Sequence, residues 1–324
     1  MASDGAATGK TRASAASLHQ KPRRWLARGA WCKFPSALEF AKYHALGNDY
    51  LVMDAAAFGP ADVHTLAPRI CHRNYGVGSD GILLGAPASE GAEFTLRIIN
   101  PDGSEAEKSG NGLRIFVRHL YDTRRVDSQP FRIATRGGVV LAQVFPERGL
   151  IRVAMGRASF DSQVVGITGS RREVVAEPMQ FGARTLTCTG VSVGNPHCVI
   201  TSVPVTEEEA RALGPLVERD PRFVNRTNVQ LLEVIDRGNL RIQIWERGAG
   251  HTLASGSSAS ASACAARRLG LCDAHVQVHM PGGVLEVEIE PDYQVTQTGP
   301  VTKVADGVLS AESLADGAPW PPRR

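Results

Sequence analysis

The chain has 324 residues, with 43% apolar and 21% charged side chains. That is enough for two modest domains around a sizeable core, in a composition ordinary for a globular protein. The net charge of +3 is local in origin: residues 1–34 hold seven basic side chains and one acid, leaving 29 basic against 32 acidic elsewhere. The rest of the chain therefore offers no basic stripe for nucleic acid, and no apolar run reaches the ~18 residues of a membrane span.

Residues 1–36 are rich in Ala, Ser and Arg and poor in acid, with no long apolar segment. This composition fits an organelle transit peptide, or equally a disordered extension, but not a secretory signal. The expected location is cytoplasmic, or an organelle if the extension is a transit peptide. Six cysteines (Cys32, Cys71, Cys188, Cys198, Cys264, Cys272) form no C-x-x-C pair and no disulfide framework, which suits a reducing compartment.

From Leu38 the pattern becomes short strands broken by Gly, Asn and Asp. Residues 39–44 and 51–54 read as strands around the turn Leu46-Gly47-Asn48-Asp49-Tyr50. A helix is expected over 61–74, then strands at 82–84 and 94–99. The run that follows Ser109-Gly110-Asn111-Gly112 reads as a helix to about Thr123, apolar on most sides and so enclosed by its own domain. Strands follow at 131–134, 139–144 and 151–155.

The order then restarts. Strands fall between 173 and 202, a short acidic helix near 207–216, and strands at 229–234 and 240–245. Ser255-Gly256-Ser257-Ser258 opens a second helix made almost wholly of Ala, Ser and Cys, and strands resume at 276–280 and 284–289. Residues 311–324 read as a disordered tail.

Two stretches thus repeat one device: a hydroxyl at the point where a glycine loop becomes a helix. There the first N–H groups lack intrahelical partners and the helix dipole is positive, so a small carboxylate fits. Ser and Gly also make ordinary helix starts and turns. What favours a binding role is the duplication, with lead-in loops at 100–105 and 245–250. Ser109 and Ser255 lie 146 residues apart, one per lobe, and the cleft between lobes is the natural ligand site.

Six segments carry a family resemblance: 42–50 (KYHALGNDY), 74–81 (NYGVGSDG), 100–105 (NPDGSE), 194–199 (GNPHCV), 245–250 (WERGAG) and 280–283 (MPGG). In order and spacing they resemble the diaminopimelate epimerase family, from about Phe40 to Gly307. The resemblance implies an α+β fold of two pseudosymmetric lobes, each a β-barrel-like sheet wrapped round a central helix. The N-lobe would comprise 37–153 plus 297–310, and the C-lobe 154–296. It also implies an amino-acid epimerase or racemase, inverting an α-carbon by two-base proton transfer with no cofactor and no metal. The partners implied are a small amino-acid substrate and a second copy in a homodimer, with neither nucleic acid nor membrane.

The family's acid/base pair is two cysteines, and here the matching positions are Ser109 and Ser255. A hydroxyl is far less acidic than a thiol, and acid–base efficiency falls as the pKa leaves the working pH. A serine still relays a proton when a base sits beside it. By the family's motif those neighbours are His197 for Ser109 and Glu246 for Ser255. The resemblance assigns substrate contacts to Asn48, Asn100, Asn195, Asn228 and a buried Arg247, which with its amides would grip a second carboxylate. The backbone N–H groups of Gly110, Asn111, Gly256 and Ser257 would hold the proximal carboxylate. Lys108, His251 and the Ser257–Ser260 run also depart from the family pattern, as in a divergent branch.

Three chemistries fit these residues: inversion at an α-carbon, a lyase or double-bond isomerase using Glu246 or His197 as base, or binding without turnover. His275 and His279 lie on an alternating strand with no acidic or thiol cluster, so a metal site is not expected. Asp80 and Glu105 are expected to fix loops.

Overall fold

The computed structural model describes residues 38–58, 62–86, 88 and 91–314. The expected extension at 1–36 lies outside the described residues.

Apolar alternation sets the strands. In β1 (Glu39–Ala45) Ala41, Tyr43 and Ala45 face the core, and β2 (Asn48–Asp54) returns through a two-residue turn. Leu46 and Gly47 both have positive φ there, 56° and 94°, the handedness a tight hairpin needs. Helix α1 (Val63–Ile70) is shorter than the sequence pattern implies: the Cys71 N–H closes on Ala67, and the chain then turns. There follow β3 (Ile82–Ala86), β4 (Phe94–Ile99), the short β5 (Glu105–Ala106), helix α2 (Gly110–Asp122), β6 (Phe131–Thr135), β7 (Gly138–Phe145) and β8 (Leu150–Arg157).

After the one-turn α3 (Ser162–Val165) come β9 (Glu177–Phe181), β10 (Arg184–Ser192), β11 (Pro196–Ile200) and the acidic helix α4 (Glu207–Glu218). Strands β12 (Asn228–Asp236), β13 (Asn239–Glu246) and β14 (Gly250–His251) lead to α5 (Gly256–Arg268). The chain then forms β15 (His275–Met280), β16 (Gly283–Ile289), β17 (Gln294–Pro300) and β18 (Thr302–Val308).

The two halves repeat one topology. Parallel pairs β2–β3 and β4–β6 recur as β11–β12 and β13–β15. The hairpins β1–β2, β6–β7 and β7–β8 recur as β10–β11, β15–β16 and β16–β17. The final strand β18 pairs with β1, as the resemblance implies, and β8 pairs with β17 along its length. This last pairing spans the segments where the sequence places the lobe boundaries, 153/154 and 296/297.

Each lobe holds its helix at the centre. α2 packs on β1, β2, β7 and β8, and α5 on the equivalent β10 and β11 and on β12 and β16. In α2, Leu113, Ile115, Phe116, Val117 and Leu120 are all buried. Leu113→Ala there would cost about 2–5 kcal/mol in transfer and cavity terms. In α5 every residue from Ser258 to Ala266 is buried, so small side chains let the surrounding strands come close.

The first residues of the stretch expected to be disordered are ordered. Ala311–Leu314 form a short helix, α6, and Leu314 is buried beside Leu38, Leu51 and Ile70. One apolar residue in an otherwise polar run is enough to anchor that turn. Residues 315–324 lie outside the described residues.

Candidate active site

Local chemistry starts both central helices. Ser109 and Ser255 have extended backbones, with φ of −137° and −145°, and cap α2 and α5. Ser109 Oγ accepts the N–H of Gly112 at 3.0 Å, and Ser255 Oγ that of Ser258 at 3.4 Å. Each hydroxyl satisfies one of the helix's unpaired donors.

The two helix starts meet across one side chain. Gln297, on β17, is fully buried, and its amide lies against Gly110 and Gly256. A Cβ at Gly110 would come 2.0 Å from Gln297 Nε2, and one at Gly256 2.5 Å from Oε1. A side chain at either place would have to displace the buried amide. Both helix ends open on one cleft of about 730 Å³.

Twelve of the thirteen sequence-assigned site residues line this cleft: Asn48, Asn100, Ser109, Gly110, Asn111, Asn195, Asn228, Glu246, Arg247, Ser255, Gly256 and Ser257. His197 does not. It is buried behind the wall, with Nε2 3.0 Å from Asn195 Oδ1. Burial drives its pKa from 6.5 down to about 3, so the ring is neutral. The expected Ser109–His197 pair is absent from this geometry: β11 turns the imidazole toward the interior, where it orients Asn195. The serine's side-chain partner is Tyr50, whose Oη lies 3.4 Å from Ser109 Oγ.

The members of the other pair, Glu246 and Ser255, line the same cleft. Glu246 is half-buried at the end of β13, and burial raises its pKa above 4.5, partly offset by the Ser255 and Thr252 hydroxyls beside it. A carboxylate held in this way is a stronger base than one in water. Ser255 Oγ also lies 3.4 Å from Ser257 Oγ.

Side-chain amides wire the walls together. Asn111 Nδ2 donates to Asn48 Oδ1 at 3.0 Å and to the Ala254 carbonyl at 3.3 Å, joining α2 to the loop before α5. Asn48 Nδ2 donates to Asp80 Oδ2, which also accepts the Asp49 N–H. Asp80 therefore fixes a loop, as expected, and Glu105 does so through Arg97. Asn228 donates to the Pro196 carbonyl and accepts the Arg247 N–H, fixing the strand end that carries Arg247. Arg247 itself is exposed, with Nη1 on the Asn225 carbonyl, a rim position where the sequence suggested burial. It sits in the loop past the end of β13, where solvent reaches it.

Sequence reasoning did not single out Tyr50, Gln297 or Arg114. Arg114 is wholly buried one turn below Ser109; its Nη2 donates to Asn111 Oδ1 at 2.7 Å, and it has no carboxylate partner among the described residues. Burial alone lowers its pKa to about 9. Lys108 also lines the cleft, donating to the Met155 carbonyl at 2.9 Å, and burial lowers its pKa. The only sequence signal for Tyr50 was its place in the motif beside Asn48. Gln297 had none, standing in a strand that already holds Gln294, Thr296 and Thr298. Among the described residues no three His, Cys, Asp or Glu side chains gather as metal ligands.

A duplicated lobe with two capped helix starts facing one polar cleft forms a cradle for a small carboxylate between two hydroxyls. Comparison with known proteins gives the class. The sequence profile described as diaminopimelate epimerase matches residues 40–161 and 189–304, and the chain belongs to that family. It is similar to diaminopimelate epimerase 2 of Nostoc sp., 50% identical over 283 residues, covering 86% of this chain and 98% of that one. To the diaminopimelate epimerase of Moorella thermoacetica it is 39% identical over 275 residues, covering 83% and 98%. Among solved structures, a hydroxyproline epimerase from Agrobacterium vitis shares the fold, with a TM-score of 0.64 at 13% identity, covering 84% and 92%. The chain is an isomerase of the epimerase and racemase group.

Proposed function

We propose that this chain inverts one α-carbon of diaminopimelate, or of a close diamino dicarboxylic acid, by proton transfer between Ser109 and Ser255 in the interlobe cleft. The observation that carries the reading is the meeting of Gly110 and Gly256 on one Gln297 amide, which brings the capping hydroxyls to the two sides of one cavity. The free N–H groups of Gly110, Asn111, Gly256 and Ser257 would receive the proximal carboxylate. With that charge held, electrons released from the Cα–H bond pass into the carboxylate, which is the electrostatic part of the catalysis. Asn48, Asn100, Asn195, Asn228 and Arg247 would grip the distal amino-acid end. His197 keeps a supporting role, holding the Asn195 amide.

Glu246 is the base that activates Ser255. A neutral serine alone leaves the reaction slow; a hydroxyl that passes its proton to a carboxylate does not need a populated alkoxide. No cofactor enters this scheme. The names of the similar proteins support the substrate class, and neither a lyase nor a silent binder has an observation favouring it. We extend the reading to a cytoplasmic enzyme that pairs as a homodimer, which sedimentation of the purified protein checks.

The test is conversion of LL-diaminopimelate to the meso isomer, followed by chiral chromatography. Conversion that is lost in Glu246→Gln supports the reading. A protein that binds the substrate saturably and never changes its stereochemistry contradicts it.

A further inference from the structure

The repeat pairs each residue of the first turn with one of the second. Gly47, Asn48 and Tyr50 correspond to Gly194, Asn195 and His197, each 147 residues on, at the equivalent ends of β2 and β11. His197 is turned back onto its own neighbour, Asn195. Its counterpart Tyr50 lines the cleft and reaches Ser109. Resting on the epimerase reading, we propose that Tyr50 is a catalytic residue: it donates a hydrogen bond to Ser109 Oγ, making Ser109 the proton-giving face of the site and Ser255, with Glu246, the proton-taking face.

Counting the lone pairs on Ser109 Oγ gives the direction. The Gly112 N–H occupies one at 3.0 Å. A Tyr50 hydroxyl donating into the other leaves the serine's own proton free to point into the cleft. Tyr50 is suited to donate and not to accept an ionising role. Among the described residues its hydroxyl makes one hydrogen bond, and burial, with Glu246 and Asp80 nearby, raises its pKa so that the phenol keeps its proton. The 3.4 Å separation is long for two hydroxyls, and catalytic hydrogen bonds of this kind shorten when charge develops on the acceptor. On the other face Ser255 Oγ lies 3.4 Å from Ser257 Oγ, and the Glu246 carboxylate lines the same cleft. The two faces are therefore unlike, although the folds that carry them are alike.

The step balances. The Cα–H bond breaks as its proton passes to Ser255 Oγ and the serine's own proton passes to Glu246. The electron pair enters the carboxylate and returns to Cα as the Ser109 O–H bond breaks on the opposite face. The Ser109 oxyanion is then held by the Gly112 N–H and the Tyr50 O–H. Reversal, or proton exchange with water, restores the starting state.

Two measurements on the full chain test this separately from the epimerase reading. The first replaces Ser109 by the group whose ionisation is easily followed. In Ser109→Cys the introduced thiol is alkylated by iodoacetamide at one mildly alkaline pH, and peptide mass spectrometry separates it from the native thiols. Adding Tyr50→Phe, which keeps the ring volume, is expected to slow that alkylation by roughly threefold to tenfold, because a lost donor to the thiolate raises its pKa. An unchanged rate overturns the proposal whether or not the protein proves to be an epimerase. The second measurement is the turnover of Tyr50→Phe, with kcat reduced and KM little changed; an unchanged kcat in a protein that does epimerise also overturns it. If the wild-type chain does not epimerise at all, the substrate reading falls, and the alkylation result alone decides whether Tyr50 polarises position 109.

Discussion

Gly110 and Gly256, the first residues of the two central helices, lie against opposite ends of one buried amide, that of Gln297. The amide is carried on β17 and steadied by Met155 of β8, whose Sδ lies 2.9 Å from Nε2. Those two strands form the seam between the lobes. The spacing of the helix ends, and hence of the two serines, is thus set by a side chain at the seam.

Gly110→Ala should therefore be more damaging than its helix propensity suggests. Alanine would favour the helix, but its methyl group would come 2.0 Å from Gln297 Nε2, so the buried amide must move, and such overpacking costs about 1–3 kcal/mol. Combining it with Gln297→Ala should recover part of that loss. A double-mutant cycle by urea denaturation reads the coupling. Additive losses would mean that the amide does not space the helices.

In the proposed mechanism Glu246 sets the acid limb of activity. It must be ionised to accept a proton, and burial raises its pKa above 4.5. The rise of kcat/KM with pH should accordingly lie above the ordinary carboxylate range, and Glu246→Gln should lose at least about a hundredfold in kcat. A limb at the ordinary carboxylate position would mean that another group is the base.

His197 gives a separate pH dependence, in stability. Its folded pKa is about 3 against 6.5 unfolded, so below 6.5 the unfolded chain binds a proton the folded one refuses. The stabilisation present above pH 6.5 should fall away as pH drops from about 6.5 toward 3. Thermal melting of wild type and His197→Gln over this window checks it, the variant showing the shallower decline.

Arg114 trades stability for site order. A buried guanidinium without a counter-ion is costly, yet it fixes Asn111, whose other end fixes Asn48. Because arginine only donates, Asn111 must present its oxygen to Arg114 and its nitrogen to the cleft wall. Arg114→Met should leave the melting midpoint unchanged or raised while KM increases several-fold. A folded variant with normal KM would show that the amides orient without it.

How much of this was legible before the structure follows from the range of each interaction. The helix starts were legible because a cap is a local event: Ser109 and Gly112, or Ser255 and Ser258, lie within one turn. The repeated lobes were legible from recurring strand patterns and matched loops. Gln297 was not, because its importance depends on pairing between strands more than a hundred residues apart. The direction of His197 was hidden for a related reason. Motif spacing places it beside the site, but only the pleat of β11 decides which face it takes. Arg247 was expected buried from its role and proves to sit on the rim. Leu314 shows the converse error, one buried side chain giving structure to a segment whose average composition suggests none.

The central claim, that two oxygens on opposite sides of one cleft exchange protons with an α-carbon, is tested most directly by incubating the protein with LL-diaminopimelate in D2O and reading the α-position by NMR. The account predicts one deuterium at the inverted carbon of the meso product, lost in both Ser109→Ala and Ser255→Ala. Inversion without solvent deuterium, or full exchange surviving in either variant, would contradict it.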